Sequence, residues 1–330
     1  MRCAKSERER ESAMTTQLET LKVELSRHVV GQERVVERLI ISMVANGHCL
    51  LEGVPGVGKT MMTSTLARMV GGTFARIQFT PDLLPADIVG TRIYRASREA
   101  FDVELGPVFA NFVLADEINR APAKVQSALL EVMAERQVSI GGVTTKLTPP
   151  FMVLATQNPI EQEGVYALPE AQRDRFLMRV PVDYPTPAQE AEIARRSATP
   201  APPPTQVLSL DELLELQRAA AELPVPEAVA DYAVRLVVAT REPRSFGFDA
   251  LDGWLSFGAS PRATLGLLAA GRALALMRGH STVRVQDIYD IAYDVLNHRL
   301  VLSWDAVTRG ATVDEFIVAL LERVLAPSGW

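Results

Sequence analysis

Short apolar runs alternate with longer helical patterns along the first half of the chain. The longer segments place apolar residues at helical spacing, whereas the short runs are almost continuously apolar, as in parallel strands buried on both faces. These runs lie at residues 48–53, 74–79, 112–117, 151–158 and 176–182. The alternation predicts an α/β fold with a parallel five-stranded sheet sandwiched by helices.

The strand-like runs stop after residue 182. A proline-rich segment at residues 199–205 is followed by amphipathic helical patterns, and Ser209 with Glu212 forms the capping box of a helix start. We therefore predict an α/β domain at residues 16–185 and a smaller all-α domain at residues 186–330. Residues 1–15 are polar and charge-dense, which predicts a flexible tail.

Two segments within the α/β domain have the pattern of inserted β-hairpins. Residues 136–147 alternate apolar and polar side chains around Gly141 and Gly142, the pair that a tight two-residue turn requires. Residues 90–107 have the same pattern with a longer tip. Hairpins that project from a parallel sheet indicate contact surfaces.

Composition narrows the class of protein. The 330 residues include 34 basic and 40 acidic side chains, a formal charge of −6, which argues against a surface built to grip nucleic acid. No run approaches the roughly 18 apolar residues of a membrane span, and the first residues lack the apolar core of a signal peptide. We expect a cytoplasmic protein without membrane insertion. The two cysteines and four histidines have no zinc-site spacing, and we interpret them as structural.

A glycine-rich loop follows the first strand-like run. Residues 53–60 are GVPGVGKT, a complete G-x-x-x-x-G-K-[ST] motif between a predicted strand and a predicted helix. Backbone N–H groups of this loop would surround phosphates, Lys59 would reach the β and γ oxygens, and the Thr60 hydroxyl would ligate Mg²⁺. The predicted nucleotide-binding residues of the loop are Pro55, Gly56, Val57, Gly58, Lys59, Thr60 and Met61.

Polar residues end two further strand-like runs. Asp116 and Glu117 close the third run, where a carboxylate beside the phosphate loop would ligate Mg²⁺ and its neighbour would act as general base. Asn158 closes the fourth run, and its neutral amide suits the orientation of a water molecule without neutralising Glu117. With the loop, these residues predict a magnesium and nucleotide site at one edge of the sheet.

Five segments together resemble MoxR-type AAA+ ATPases. They are VVGQERVVERLI from residue 29, GVPGVGKT from 53, VLADEINRAPAKVQSALLEVMAERQVSIGG from 113, VLATQNPIEQEGVYALPEAQRDRF from 153 and GASPRA from 258. The resemblance runs in order from about residue 16 to residue 325. It implies an AAA+ core with a helical lid, hydrolysis of ATP with Mg²⁺, and a ring in which we expect six copies. It also implies a position near the helix-2-insert branch that holds magnesium chelatase subunits.

The resemblance implies an arginine finger that reaches the nucleotide of a neighbouring subunit. The family's L-D-R-F pattern maps the finger onto Arg175, but this chain has Arg173 where leucine is usual. Arg173 either pairs with Asp174 or Glu170 at the surface or shares the finger role. We favour Arg175.

The resemblance also implies nucleotide contacts outside the phosphate loop. Val30 and Gly31 are expected near the adenine. Arg262 corresponds to a lid arginine that senses the nucleotide, in a contact that spans the two domains. Ser260 and Pro261 place Arg262 in the first turn of a helix, where a cation opposes the helix dipole, and a bound phosphate would reverse the sign of that effect.

The biological role has three alternatives. The family resemblance implies a chaperone-like ATPase that matures, activates or inserts metal into a partner protein, commonly with a von Willebrand factor A-domain partner. A nucleic-acid motor is the competing class, because Arg92, Arg95 and Arg98 in the first hairpin suit phosphates as well as an acidic protein. The second hairpin offers only Lys146, and the chain is acidic, so we disfavour nucleic acid. A switch with little turnover is disfavoured by the intact Glu117.

Overall fold

The computed structural model describes residues 2–54, 56–97, 99–158, 165–197 and 202–326, with side chains from residue 12 onward. The strands are β1 (Cys49–Gly53), β2 (Phe74–Gln78), β3 (Gly90–Arg95), β4 (Ala100–Leu105), β5 (Phe112–Asp116), β6 (Gln137–Ile140), β7 (Val143–Lys146), β8 (Met152–Gln157), β9 (Met178–Val182), β10 (Leu255–Phe257) and β11 (Val301–Leu302). The helices are α1 (Arg2–His28), α2 (Glu33–Val44), α3 (Lys59–Met69), α4 (Pro85–Val89), α5 (Ala123–Glu135), α6 (Glu170–Arg173), α7 (Pro187–Ser197), α8 (Leu210–Glu222), α9 (Glu227–Arg241), α10 (Pro261–Met277), α11 (Val285–Leu296), α12 (Trp304–Thr308) and α13 (Val313–Arg323).

The central sheet has five parallel strands in the order β2–β5–β8–β1–β9. Cys49 at the start of β1 pairs with Leu154 of β8 on one side and with Met178 of β9 on the other. Each of the five predicted runs contains one of these strands, so the predicted α/β sheet is confirmed. Because all five strands are parallel, the carboxyl ends of β5, β8 and β1 lie side by side at one edge.

Two hydrophobic layers cover the sheet, and consecutive residues of β1 point into different layers. Leu50 belongs to the layer formed with α5 and the second hairpin. Leu51 belongs to a larger layer that includes α1, α2 and α3 and continues without a break into α8, α9, α10, α11 and α13. The helices that follow the sheet therefore share a core with it.

The first helix occupies the segment that we predicted to be a flexible tail at residues 1–15. Helix α1 begins at Arg2, Met14 is buried, and the Thr15 hydroxyl donates to the Leu276 carbonyl of α10 at 3.2 Å. The tail prediction is therefore wrong. Glutamate, arginine and lysine are strong helix formers, so a charge-dense segment is compatible with helix when a buried stripe follows it.

Both predicted hairpins are present. β3 pairs with β4 and β6 pairs with β7, each antiparallel. Gly141 and Gly142 have φ of 57° and 85°, the left-handed pair of a two-residue turn. The helical domain also contains a short ladder between β10 and β11, which sequence periodicity does not predict because strands of two or three residues have too few positions to define a period.

Substitution of a buried residue tests whether α1 belongs to the core. We expect Leu21→Ala to lower the free energy of unfolding by about 3 kcal/mol, because the Leu21 side chain is fully buried. Val23→Ala is the matched control on the same helix, and since Val23 is 49% exposed we expect a change below about 0.5 kcal/mol. Urea unfolding followed by circular dichroism measures both, and equal effects would contradict this placement of α1.

Candidate functional site

The loop between β1 and α3 has the backbone of an anion site. Gly56 and Gly58 have φ of 85° and 81°, and Gly58 is the N-cap of α3. A Cβ atom at Gly56 would meet no atom within 4 Å, so the space in front of the loop is open. The first N–H groups of α3 have no partner within the helix, and they are available to an anion. Pro55 lies outside the described residues.

Lys59 begins α3 and folds back toward the loop. Its Nζ donates to the Gly53 carbonyl at 2.6 Å. Partial burial lowers the pKa of Lys59, and the carboxylates of Asp116, Glu117 and Glu52 oppose that shift. The structure therefore brings the carboxylates at the end of β5 and the lysine of the phosphate loop close enough for their charges to interact. Val57 and Thr60 are half-buried at the same loop, and Met61 is exposed beside it.

Asp116 is buried at the end of β5 and is held from both neighbouring strands. The Thr156 hydroxyl on β8 donates to Asp116 Oδ1 at 2.6 Å. Arg76 on β2 donates to Asp116 Oδ2 through Nη2 at 2.6 Å and through Nε at 3.0 Å. Neither Thr156 nor Arg76 was predicted. Thr156 lies near the end of a predicted strand, whereas Arg76 lies in the middle of one, and neither belongs to a motif.

Glu117 lies in a left-handed conformation, with φ of 57°. Few non-glycine residues adopt it, and here the Glu117 N–H donates to the Thr156 hydroxyl at 2.8 Å. Glu117 Oε2 accepts from Gln78 Nε2 at 2.8 Å and pairs with Arg120 Nε at 3.0 Å. Both contacts are to the same oxygen, so they fix the orientation of the carboxylate through Oε2. Asn158 is buried after the end of β8, the strand that separates β5 from β1.

The predicted magnesium ligands fit an ion that is held mainly by phosphates. Among the residues that the structure describes, no cluster of three or more His, Cys, Asp or Glu side chains could hold a metal ion by itself. Magnesium bound with a nucleotide takes one or two protein ligands beside phosphate oxygens and waters. The Asp116 carboxylate and the Thr60 hydroxyl supply that set. A metal ion at Asp116 Oδ2 would replace Arg76, which occupies this oxygen.

Val30 and Gly31 connect α1 to α2 near the same edge of the sheet. Gly31 has φ of 77°, and a Cβ atom there would lie 2.5 Å from the Gln189 side chain. The adjacent Gln32 donates to the Asp183 carbonyl at 3.0 Å, just after the carboxyl end of β9. Val30 and Gly31 thus lie near the end of the sheet that carries the phosphate loop, and their contact with a base stays a prediction.

Arg175 and Arg262 lie together at the amino-terminal ends of the strands, on the opposite side of the sheet from the phosphate loop. They line a cavity of about 430 Å³ with Arg136, Arg299 and His48, which precedes the first residue of β1. Since β1 rises roughly 3.3 Å per residue, its five residues put roughly 16 Å between this cavity and the phosphate loop. The expected contact between Arg262 and the nucleotide of its own chain is therefore wrong. Arg173 does not line the cavity, which favours Arg175 as the finger.

The arginine cavity is bounded by a buried ion pair. Arg299 Nε donates to Asp174 Oδ1 at 2.8 Å, and the Ser260 hydroxyl donates to Asp174 Oδ2 at 2.8 Å. Burial lowers the pKa of Arg299, and the Asp174 carboxylate opposes that shift. Arg175 Nη1 donates to the Leu130 carbonyl at 2.5 Å. Arg299 belongs to no sequence motif and lies 125 residues from its partner, so it was not predicted.

Buried histidines and the buried cysteine are structural, as predicted. Burial, reinforced by the Arg136 charge, lowers the pKa of His48 to about 4. The neutral ring joins α5 to β8, because Nε2 donates to the Met133 carbonyl at 3.2 Å and Nδ1 accepts from the Val153 N–H at 3.0 Å. Burial raises the pKa of Cys49 to about 12, so its thiol stays protonated.

Comparison with known families gives two matches along the chain. Residues 48–178 match the ATPase family associated with various cellular activities (AAA). Residues 253–318 match the AAA lid domain. The first match contains the phosphate loop, the strand-end carboxylates and Arg175, and the second contains Arg262.

No helix in the described part of the chain is long and apolar enough to cross a membrane.

Individual relatives match over nearly the whole chain. Chaperone MoxR1 of Mycobacterium tuberculosis is 57% identical over 310 residues, which cover 94% of this chain and 82% of that protein. The uncharacterized protein YeaC of Bacillus subtilis is 39% identical, with 92% of each chain covered. A crystal structure from Cytophaga hutchinsonii superposes with a TM-score of 0.93 at 42% identity and covers 98% of this chain and 99% of that chain.

Removal of the Thr156 hydroxyl tests how the two carboxylates are held. We expect Thr156→Val to lower the free energy of unfolding by about 2 kcal/mol, because it leaves Asp116 Oδ1 and the Glu117 N–H without this partner. Thr63→Val is the control: Thr63 is equally buried, but its hydroxyl donates to the Lys59 carbonyl of its own helix. We expect less than about 0.5 kcal/mol there, and equal losses in urea unfolding would contradict this role of Thr156.

Proposed function

This chain belongs to the MoxR family of AAA+ ATPases, and on that premise we propose that it hydrolyses ATP to ADP and phosphate in a ring of identical subunits. One observation supports the ring above all. The phosphate loop lies at one edge of the sheet, whereas Arg175 and Arg262 line a cavity at the other edge. Each chain therefore carries the phosphate-binding half of one site and the arginine half of another. A neighbouring copy on each side supplies the missing half. A head-to-tail ring satisfies both halves of every copy, and we expect six copies.

Each residue of the proposed site has one task. The loop N–H groups and Lys59 hold the phosphates, and Asn158 orients the attacking water. Glu117, whose Oε2 is held by Gln78 and Arg120, accepts a proton from that water. Magnesium, held by Thr60 and Asp116 when bound, would supply positive charge to the phosphate oxygens.

The second copy contributes charge rather than proton transfer. Its Arg175 and Arg262 would approach the γ-phosphate across the subunit boundary. A guanidinium is always charged and offers a planar fork of donors, so it stabilises the negative charge that spreads over the transferred phosphoryl oxygens. Arg262 lies in the first turn of α10, where a cation opposes the helix dipole, and an approaching phosphate offsets that repulsion.

We propose that the work done by hydrolysis is the remodelling of a client protein. In the first hairpin, Arg95 pairs with Asp102 at 2.7 Å, and Arg92 lies 4.7 Å from the centre of the Phe101 ring. Tyr94 and Phe101 are 53% and 58% exposed. Exposed aromatic side chains suit an apolar stretch of polypeptide, while both arginines already have partners within the hairpin. Arg98 lies outside the described residues.

The family resemblance suggests finer forms of this role. They are metal insertion into the client, or its activation, together with a partner that carries a von Willebrand factor A domain. We propose these as the first partners to test.

Mixed rings test whether the finger acts between copies. We expect Arg175→Ala alone to lower kcat by ~10³, and Lys59→Ala alone to be inactive. In an equimolar mixture, Lys59→Ala subunits supply an intact finger to intact phosphate loops, so turnover should return to about a quarter of wild type. Lys59→Ala mixed with Glu117→Gln is the control, since both changes damage the same half-site and no complete site forms. Lack of rescue in the first mixture would contradict the shared site.

Added DNA tests the client proposal against a nucleic-acid motor. We expect ATP turnover at physiological salt to be unchanged by single- or double-stranded DNA, because Arg92 and Arg95 already have partners within the hairpin. Heparin controls for non-specific binding of a polyanion. Stimulation by DNA but not by heparin would overturn the remodelling proposal and favour the motor.

A further inference from the structure

The loop that carries Arg175 is bound by a residue from the helical domain. Arg299 follows α11 and directs its guanidinium at the backbone and side chain of residues 174–177. Nη2 donates to the Phe176 carbonyl at 2.6 Å, Nη1 donates to the Leu177 carbonyl at 3.1 Å, and Nε donates to Asp174 Oδ1 at 2.8 Å. One side chain therefore holds the residue before Arg175 and the two residues after it.

Arg299 is buried to a degree that is unusual for arginine, with 8% of its surface exposed. A buried guanidinium is unfavourable unless its donors are bonded, and a hydrophobic residue at such a site often gives equal or greater stability. Here the donors are bonded to the Asp174 carboxylate, to carbonyls of residues 174–177, which we call the finger loop, and to the Val295 carbonyl. The stability of the fold does not require a buried arginine here. We therefore infer that Arg299 serves to position the loop that it binds.

The same carboxylate reaches the helix that carries Arg262. Asp174 Oδ2 accepts from the Ser260 hydroxyl at 2.8 Å, and this hydroxyl accepts from the Arg262 N–H at 3.1 Å as the N-cap of α10. A continuous chain of hydrogen bonds thus joins Arg299, Asp174, Ser260 and the backbone of Arg262. Asp174 directly precedes Arg175, so the chain spans the supports of both arginines.

We propose that Arg299, Asp174 and Ser260 form a clamp that fixes Arg175 and Arg262 as one rigid unit, which the neighbouring copy's nucleotide meets as a pair. This inference rests on the proposed function. The three clamp members are positioning residues, since they act through Arg175 and Arg262. Their effect on rate is large because a displacement of about 1 Å at a catalytic group lowers the rate by ~10².

Arg299→Lys in the full-length protein tests the clamp. Lysine keeps the charge but concentrates its donors at one atom, so it cannot bond all three loop residues as the fork does. We expect kcat to fall by ~10² while binding of a fluorescent ATP analogue is unchanged, because the phosphate loop of the same chain is untouched. Arg278→Lys is the matched control: Arg278 pairs with Asp287 and Asp290 within the helical domain, and we expect wild-type turnover.

Rings mixed from two variants distinguish a positioning role of Arg299 from a general loss of folding or activity. With Lys59→Ala subunits, Arg299→Lys subunits should regain turnover, since the partner presents an intact pair of arginines to their phosphate loops. If Arg175→Ala is rescued by Lys59→Ala but Arg299→Lys is not, the clamp is overturned and the shared site stands. If neither is rescued, the proposed function itself fails.

A second, milder variant tests the clamp if Arg299→Lys does not fold. Ser260→Ala removes the half-buried hydroxyl that joins Asp174 to the Arg262 N–H. We expect turnover to fall roughly tenfold, the size of the net hydrogen bond that it gives to Asp174. Ser303→Ala removes the equivalent N-cap hydroxyl of α12, which has no contact with the finger loop, and should leave turnover unchanged. Equal turnover in Ser260→Ala and wild type would overturn the clamp.

Discussion

Parallel pairing of β1 with β8 and β9 gives the sheet two chemically different edges, and the arrangement of the site depends on this. At the carboxyl edge, strand ends turn into the phosphate loop, Asp116 and Asn158. At the amino edge, residues that precede β1 and β9 meet α10 and form the arginine cavity. A five-residue strand keeps the two edges apart, so no small side-chain movement can bring both halves together within one chain.

The continuous hydrophobic layer restricts which parts can move. Helices of the second domain pack into the same core as α1, α2 and the sheet. Arg38 of α2 donates to the buried Asp294 of α11 at 2.7 Å, and separation of this pair would leave a buried carboxylate without one of its partners. Movement between the two domains of one chain is therefore costly, because it would open this shared core and break the buried pair.

Local sequence patterns located the five strands of the central sheet, both hairpins and the phosphate loop, because these features depend on residues close together in the chain. It missed the buried stripe of α1, since charge density near residue 10 outweighed the apolar spacing that begins at Met14. It also missed Arg299 and Thr156, whose partners lie 125 and 40 residues away and leave no local pattern. The placement of Arg262 required the packing of α10 against α2 and against Leu177, the residue before β9, which no motif encodes.

The bond between Arg76 and Asp116 makes the carboxylate an ion-exchange site. A guanidinium occupies the oxygen that the metal ion would take, so loading exchanges one cation for another. The negative charge of Asp116 is therefore compensated by Arg76. The end of the sheet carries this buried carboxylate without an uncompensated charge, and Arg76 is the group that a bound cation would displace.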